Sequence, residues 1–397
     1  MALHIVAARP SRDLLQLPWQ VRLEDWDQSV LVPLARGISR HVVRFVRADG
    51  QVYAVKETRE EWAWREYHLL RNLRRLGLPA VTPFGVVTGR QETGGESIEP
   101  VLITRHLPRS LPYRALFSQR LRPDTVGRVV DALVVLLVRL HVAGFWWGDC
   151  SLSNTLFRRS AGQFAAYLVD AETGELHETL SDGQRAHDLD VVTTNIFGEL
   201  SDLLAGELLD QDLDPFAMVE RVQRRYLDLW KALTGVEEFD TAEMWRIQRR
   251  VETLNELGFD IDELDIVTDF DGATVRIRPC VVEAGHHTRR LHALTGIDVE
   301  EEQARRLLND LDAFAAAAEL QGEDPTIVGH RWLAEVYEPL RAMVPADLRD
   351  NLGTAELFHE MLEHRWYLSE RAGREVDFFE TARDYLANVL PTAADRS

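Results

Sequence analysis

Residues 41–57, "HVVRFVRADGQVYAVKE", place two β-rich runs on either side of an Asp49-Gly50 pair. Asp-Gly supplies the backbone freedom that a tight antiparallel turn needs, so "HVVRFV" and "QVYAVKE" are predicted to form a hairpin within 31–58. The period then changes. Trp62, Tyr67, Leu70 and Leu73 recur at helical spacing through 59–76, and Gly77 and Pro79 end that pattern. "FGVVTG" and "PVLITRHL" read as further strands around a Gly- and Glu-rich loop at 89–99. A small sheet carrying one helix is the expected form of residues 1–110.

Beyond Pro123 the pattern becomes helical, beginning with "DTVGRVVDALVVLLVRLHVAG", where Asp124 is the expected N-cap and Gly144 the expected stop. A loop "FWWGDCSLSNTLF", a strand "AAYLVDAET" and a helix from about 187 follow. Farther on, helical patterns at 214–233 and 241–257 precede a second hairpin at about 263–279, with Asp271-Gly272 at its turn. More helices are expected at about 299–321, 326–343, 354–372 and 376–390. The expected fold class is α+β: a sheet lobe over 1–110 and a helical lobe over 111–205, then an α-rich domain over 206–397 with one hairpin.

Chemistry concentrates in "WWGDCSLSNTLF". Asp149 and Asn154 have the Asp-x-x-x-x-Asn spacing of a phosphotransfer loop, in which the carboxylate orients or deprotonates a hydroxyl and the amide oxygen binds Mg²⁺. Sixteen residues after Asn154, Asp170 ends an apolar strand and is placed to take the same cation. Lys56 is one of only two lysines among 45 basic side chains, the other being Lys231, and the strand would carry it inward. There an ammonium can contact nucleotide phosphates while a helix carboxylate, Glu66, holds it.

Lys56, Glu66, "LHVAGFWWGDCSLSN" and "LVD" together resemble the protein-kinase-like fold, in the atypical branch of bacterial lipopolysaccharide core kinases and aminoglycoside phosphotransferases. "RAHDLDVVTTNIFGEL" is similar to that family's next helix, in which Asp188 or Asp190 would buttress the catalytic loop. The N-terminal text and "LFHEMLEHRWYLSE" resemble a bacterial family with a lipopolysaccharide-kinase-like region and a following domain of unknown function. The resemblance implies ATP and Mg²⁺ as cofactors, with Lys56, Glu66 and Asp149 as catalytic residues and Asn154 and Asp170 as metal ligands. It also implies nucleotide contacts from Gly37, Ser39, Arg40, Lys56 and Arg105. The phosphate-covering turn, "LARGISRHVV", has Gly37 in place of three glycines, and Ser39 and Arg40 would compensate through their side chains. Asp170 is followed by Ala171-Glu172 instead of Phe-Gly. The short segment between Asp170 and His187 favours a small-molecule or glycolipid acceptor hydroxyl, although compact relatives with protein acceptors exist. A nucleotide-binding pseudokinase or regulatory scaffold is the alternative.

The net charge of −20 argues against a general polyanion-binding surface, so nucleic acid is not an expected partner. Cys150 and Cys280 have no metal-type spacing, and with no export signal or apolar run of about 20 residues the expected location is cytoplasmic. The segment "VRIRPCVVEAGHHTRRLH" gathers Arg276, Arg278, Arg289, Arg290 and three histidines. Salt bridging to surrounding acids is the favoured reading over an anion site. His359 and His364 are five apart, whereas a His-Glu-x-x-His zinc site needs four, so no metal is expected there.

Overall fold

The computed structural model describes residues 3–34, 40–117, 123–160, 163–235, 237–240, 246, 249, 254, 259–268, 274–284, 286–320, 322–345, 354–372 and 376–390. They divide into two compact units: Met1–Arg158 with Ala166–Ala232, and Arg159–Ala165 with Leu233–Ser397.

The first unit is built on a five-stranded antiparallel sheet, comprising β1 (His4–Ala7), β2 (Val43–Ala48), β3 (Gln51–Glu57), β4 (Thr82–Thr88) and β5 (Val101–Arg105), in the order β1-β4-β5-β3-β2. β2 and β3 are the expected hairpin, with Ala48 opposite Gln51 and positive φ at Asp49 and Gly50. β1, too short to stand out in the sequence, adds at the β4 edge. One face of the sheet buries Val46, Tyr53, Val55 and Phe84 against Leu14, Trp19, Leu23 and Trp26, which lie in the segment before β2 and include part of α1 (Arg12–Leu15). Arg90, fully buried, straps that segment down by donating to the carbonyls of Trp19 and Val21 and to the Glu57 carboxylate. Strand alternation turns Ala54 and Lys56 to the other face. There α2 (Glu60–Arg75) buries Ala63, Tyr67, Leu70 and Leu73.

The rest of this unit is mainly helical, with α3 (Tyr113–Phe117), α4 (Pro123–Val142), α5 (Asp182–Ala205) and α6 (Pro215–Thr234). α4 opens on Pro123, so Asp124 lies in its first turn and not at the expected N-cap; a proline, with no N–H to satisfy, starts a helix readily. Gly144, at φ 80°, follows α4 as expected, and a Cβ there would meet the His177 carbonyl oxygen at 2.1 Å. α5 begins earlier than expected because Ser181 and Gln184 form a capping box. Two short sheets frame the loop after α4. One orders β6 (Ser110–Pro112), β8 (Thr155–Ser160) and β9 (Gln163–Leu168); the other pairs β7 (Phe145–Trp146) with β10 (Glu175–Leu176). α6 packs within the same unit, burying Val222, Tyr226 and Leu229, while Arg221 forms two hydrogen bonds with Asp131 at 2.8 and 2.6 Å. The first unit therefore continues past residue 205, where the sequence placed the boundary.

In the second unit the expected hairpin is longer on both sides, formed by β12 (Phe259–Thr268) and β13 (Thr274–Ala284), and it carries an unexpected third strand, β11 (Glu237–Asp240). Its turn at Asp271-Gly272 lies outside the described residues, as does most of the helix expected at 241–257. Among the described residues six α-helices follow: α7 (His286–Thr295), α8 (Glu301–Ala317), α9 (Pro325–Trp332), α10 (Glu338–Met343), α11 (Thr354–Ala372) and α12 (Phe378–Asp384). The single helix expected at 326–343 is α9 and α10 joined through a wider π-helical turn, Leu333–Tyr337, next to Pro339, which cannot donate a helical hydrogen bond. Trp332, Tyr337, Phe358 and Phe378 form the aromatic centre of this core. Among the described residues no helix is long and apolar enough to cross a membrane.

Candidate active site

Lys56 reaches the far face of β3 with 12% of its side chain exposed, and its Nζ donates to Glu66 Oε2 at 2.9 Å, Asp170 Oδ2 at 2.8 Å and Glu172 Oε2 at 3.2 Å. Glu66 comes from the buried face of α2, and Asp170 and Glu172 from the loop after β9. Burial pulls the Lys56 ammonium down, but Glu66 and Asp170 outweigh it and hold its pKa above the ordinary lysine range. Burial and the nearby Asp170 push the Glu66 carboxyl up, to about 8, against the pull of Lys56. Crowding three carboxylates around one ammonium thus favours the protonated form of the most buried one, and Lys56 opposes it.

Asp149 and Asn154 meet across the loop between α4 and β8. The Asn154 amide nitrogen donates to the Asp149 carbonyl at 2.9 Å and to its carboxylate at 3.0 Å. That arrangement leaves the Asn154 amide oxygen as an acceptor. Gly148 precedes Asp149 at φ 76°, a conformation that favours glycine. Burial raises the Asp149 pKa, while Asn154 and the Arg40 guanidinium oppose the shift. Two contacts tie this loop to the Lys56 cluster: Trp147 Nε1 donates to the Asp170 carbonyl at 3.1 Å, and the Val169 amide donates to the Asn154 carbonyl at 3.1 Å.

The loop hangs from one face of α5. Asp188 accepts from the amides of Trp147 and Gly148, both at 2.7 Å, and is the buttress expected at 188 or 190. Asn195 donates to the Cys150 carbonyl at 3.0 Å, and Glu199 accepts from the amides of Leu152 at 2.9 Å and Ser153 at 2.8 Å. His141 is buried behind the loop, with Nε2 3.0 Å from Asp188 and Nδ1 2.6 Å from the Tyr226 hydroxyl of α6. Burial lowers its pKa, against the pull of Asp188, which suits a neutral structural imidazole donating to Asp188 and accepting from Tyr226. Burial also pushes the Cys150 thiol well above its ordinary value, so it is an inert packing group.

Of the remaining expected residues, Arg40 pairs with Glu172, and Gly37 and Ser39 lie outside the described residues. Arg105 is exposed at the end of β5, between Tyr53 and Thr82 of the neighbouring strands, and outside this contact network. Sequence reasoning gave no role to Glu172, His41, Asn195, Glu199 or Tyr226. The spacing of Asp188, Asn195 and Glu199, seven and four apart, was the available signal for one α5 face. The carboxylate oxygens of Glu66, Asp170 and Glu172 lie within 4.8 Å of one another, a donor set of the kind a hard cation takes.

In the second unit His359 lies 3.2 Å from Glu363 and His364 lies 2.7 Å from Asp384, while Glu360 bonds the Tyr385 hydroxyl, so these groups have separate partners. Arg290 pairs with Asp312 at 3.6 Å, and the side chains of Arg276 and Arg278 lie outside the described ones.

Residues 45–213 match the lipopolysaccharide kinase (Kdo/WaaP) family model, and residues 228–390 match a model described as a domain of unknown function (DUF4032). No curated protein matches the chain. Among solved structures, "WaaP in complex with acyl carrier protein" aligns with 16% identity and a TM-score of 0.36, covering 58% of this chain and 90% of that one. The family matches support a kinase-like fold over residues 45–213, followed in the same chain by a domain of unknown function.

Proposed function

We propose that the first unit is an ATP- and Mg²⁺-dependent phosphotransferase acting in the cytoplasm on an acceptor hydroxyl, borne by a small molecule, a glycolipid or a protein. The observation that carries this reading is the continuous network from Glu66 through Lys56 and Asp170 to the loop holding Asp149 and Asn154. In this reading Lys56, held by Glu66, orients the nucleotide phosphates. Asp149 takes the proton of the acceptor hydroxyl as its oxygen bonds the γ-phosphorus and the β,γ-bridging P–O bond breaks, leaving ADP. Asp170 and Asn154 would hold the Mg²⁺, which when bound neutralises charge on the phosphate oxygens. The raised Asp149 pKa brings that carboxylate closer to useful proton acceptance at neutral pH.

Purified protein with labelled ATP, Mg²⁺ and a panel of hydroxyl acceptors tests this. Asp149→Ala is expected to lower turnover by about a hundredfold or more, and Lys56→Arg to weaken ATP binding. Nucleotide binding without hydrolysis or transfer to any acceptor would instead leave a nucleotide-binding regulatory protein, and absence of binding would end both readings.

A further inference from the structure

Glu172 is two residues beyond Asp170, and its side chain is 8% exposed. Its carboxylate contacts three basic groups from the sheet side of the site: the Arg40 guanidinium, His41 Nε2 at 3.2 Å and Lys56 Nζ at 3.2 Å. The Glu172 amide donates to Asp170 Oδ1 at 3.0 Å, which fixes the turn that presents this carboxylate. Lys56 is the basic side chain that the proposed reading gives to the nucleotide phosphates, and Arg40 is among those to which the family resemblance gives a nucleotide contact. Glu172 therefore holds the groups that a polyphosphate would need, and it lies within 4.8 Å of two further carboxylates, Glu66 and Asp170.

We propose that Glu172 is a built-in stand-in for phosphate, holding Arg40, His41 and Lys56 until a cation-bound polyphosphate displaces it, and thereby selecting metal-bound over metal-free nucleotide. The proposal rests on the nucleotide reading above and adds His41 to the phosphate contacts. A metal-free polyphosphate must separate Glu172 from its cations and leave a buried carboxylate beside Asp170 and the incoming phosphates. An unpaired charge in such surroundings is costly. A divalent cation arriving with the phosphates restores a positive partner for the displaced carboxylate, so that penalty is largely removed.

Calorimetric titration with tripolyphosphate in EDTA, and with ATP in EDTA or excess Mg²⁺, tests the idea on the full chain. Glu172→Gln keeps the side-chain size and removes the charge, and is expected to bind metal-free tripolyphosphate about tenfold more tightly than the parent. Glu172→Ala is a second variant, with thermal unfolding as the check on folding. Adding Arg40→Ala to Glu172→Gln is expected to abolish the gain. Unchanged or weaker tripolyphosphate binding in EDTA by a folded Glu172 variant would overturn the proposal. So would loss of Mg²⁺-ATP binding without any metal-free gain, which would assign Glu172 to the cation. A parent that binds no ATP under either condition defeats the nucleotide reading alone, since the tripolyphosphate comparison still decides the role of Glu172.

Discussion

Lys56 touches three carboxylates within 3.2 Å, and a compact ammonium can turn its donors toward all of them. A guanidinium spreads its donors in a flat fork, which accounts for lysine here in a chain that otherwise uses arginine for all but one of its basic side chains. The same crowding sets a pH dependence. Glu66 has its pKa raised from an ordinary value of 4.5 to about 8, so folding takes up a proton at this group. Its contribution to stability is complete below about 4.5 and is lost as pH rises through about 8. Melting temperatures of the parent and Glu66→Gln, compared from about pH 5 to about pH 9, should diverge, the parent losing ground as pH rises. Parallel curves would mean that Glu66 is ionised throughout.

At the scale of elements, α5 organises the site through long-range contacts. Asp188, Asn195 and Glu199 pin the backbone between Trp147 and Ser153, leaving Asp149 and Asn154 little freedom. In Glu199→Gln an amide oxygen and an NH₂ replace two acceptor oxygens, so one backbone donor faces another donor. The expected outcome is a stability loss of about 1–3 kcal/mol by denaturant titration and a fall in kcat of about tenfold with little change in the KM for ATP. An unchanged kcat in a destabilised variant would confine Glu199 to folding. Lys56, Glu66, Asp149, Asn154 and Asp170 were legible because strand alternation and loop spacing are local and periodic. Glu172, Glu199 and Tyr226 were not, because their partners lie 116 residues away for Lys56, 46 for Ser153 and 85 for His141. β1 and β11 were missed for a related reason, since four residues of strand carry too little alternation to announce themselves.

At the scale of the molecule, the pattern of α6 gives its length and its buried stripe but not the core that receives it. The sequence therefore ended the first domain at 205, whereas Asp131 and His141 of α4 bond Arg221 and Tyr226 of α6. That contact makes a segment beyond the expected boundary part of the support for the loop that carries Asp149 and Asn154, through His141 and Asp188. We expect a chain ended after residue 205 to lose the cooperative unfolding transition that a chain ended after residue 234 retains, followed by circular dichroism in denaturant. A smaller change in the full chain isolates the link. Tyr226→Phe removes the hydroxyl from a buried His141 Nδ1 and should cost about 1–3 kcal/mol. The same variant should shift the His141 ring-nitrogen resonances, because the hydrogen bond that helps fix the imidazole tautomer is gone. Unaltered stability and resonances would sever α6 from the site and return the boundary to 205.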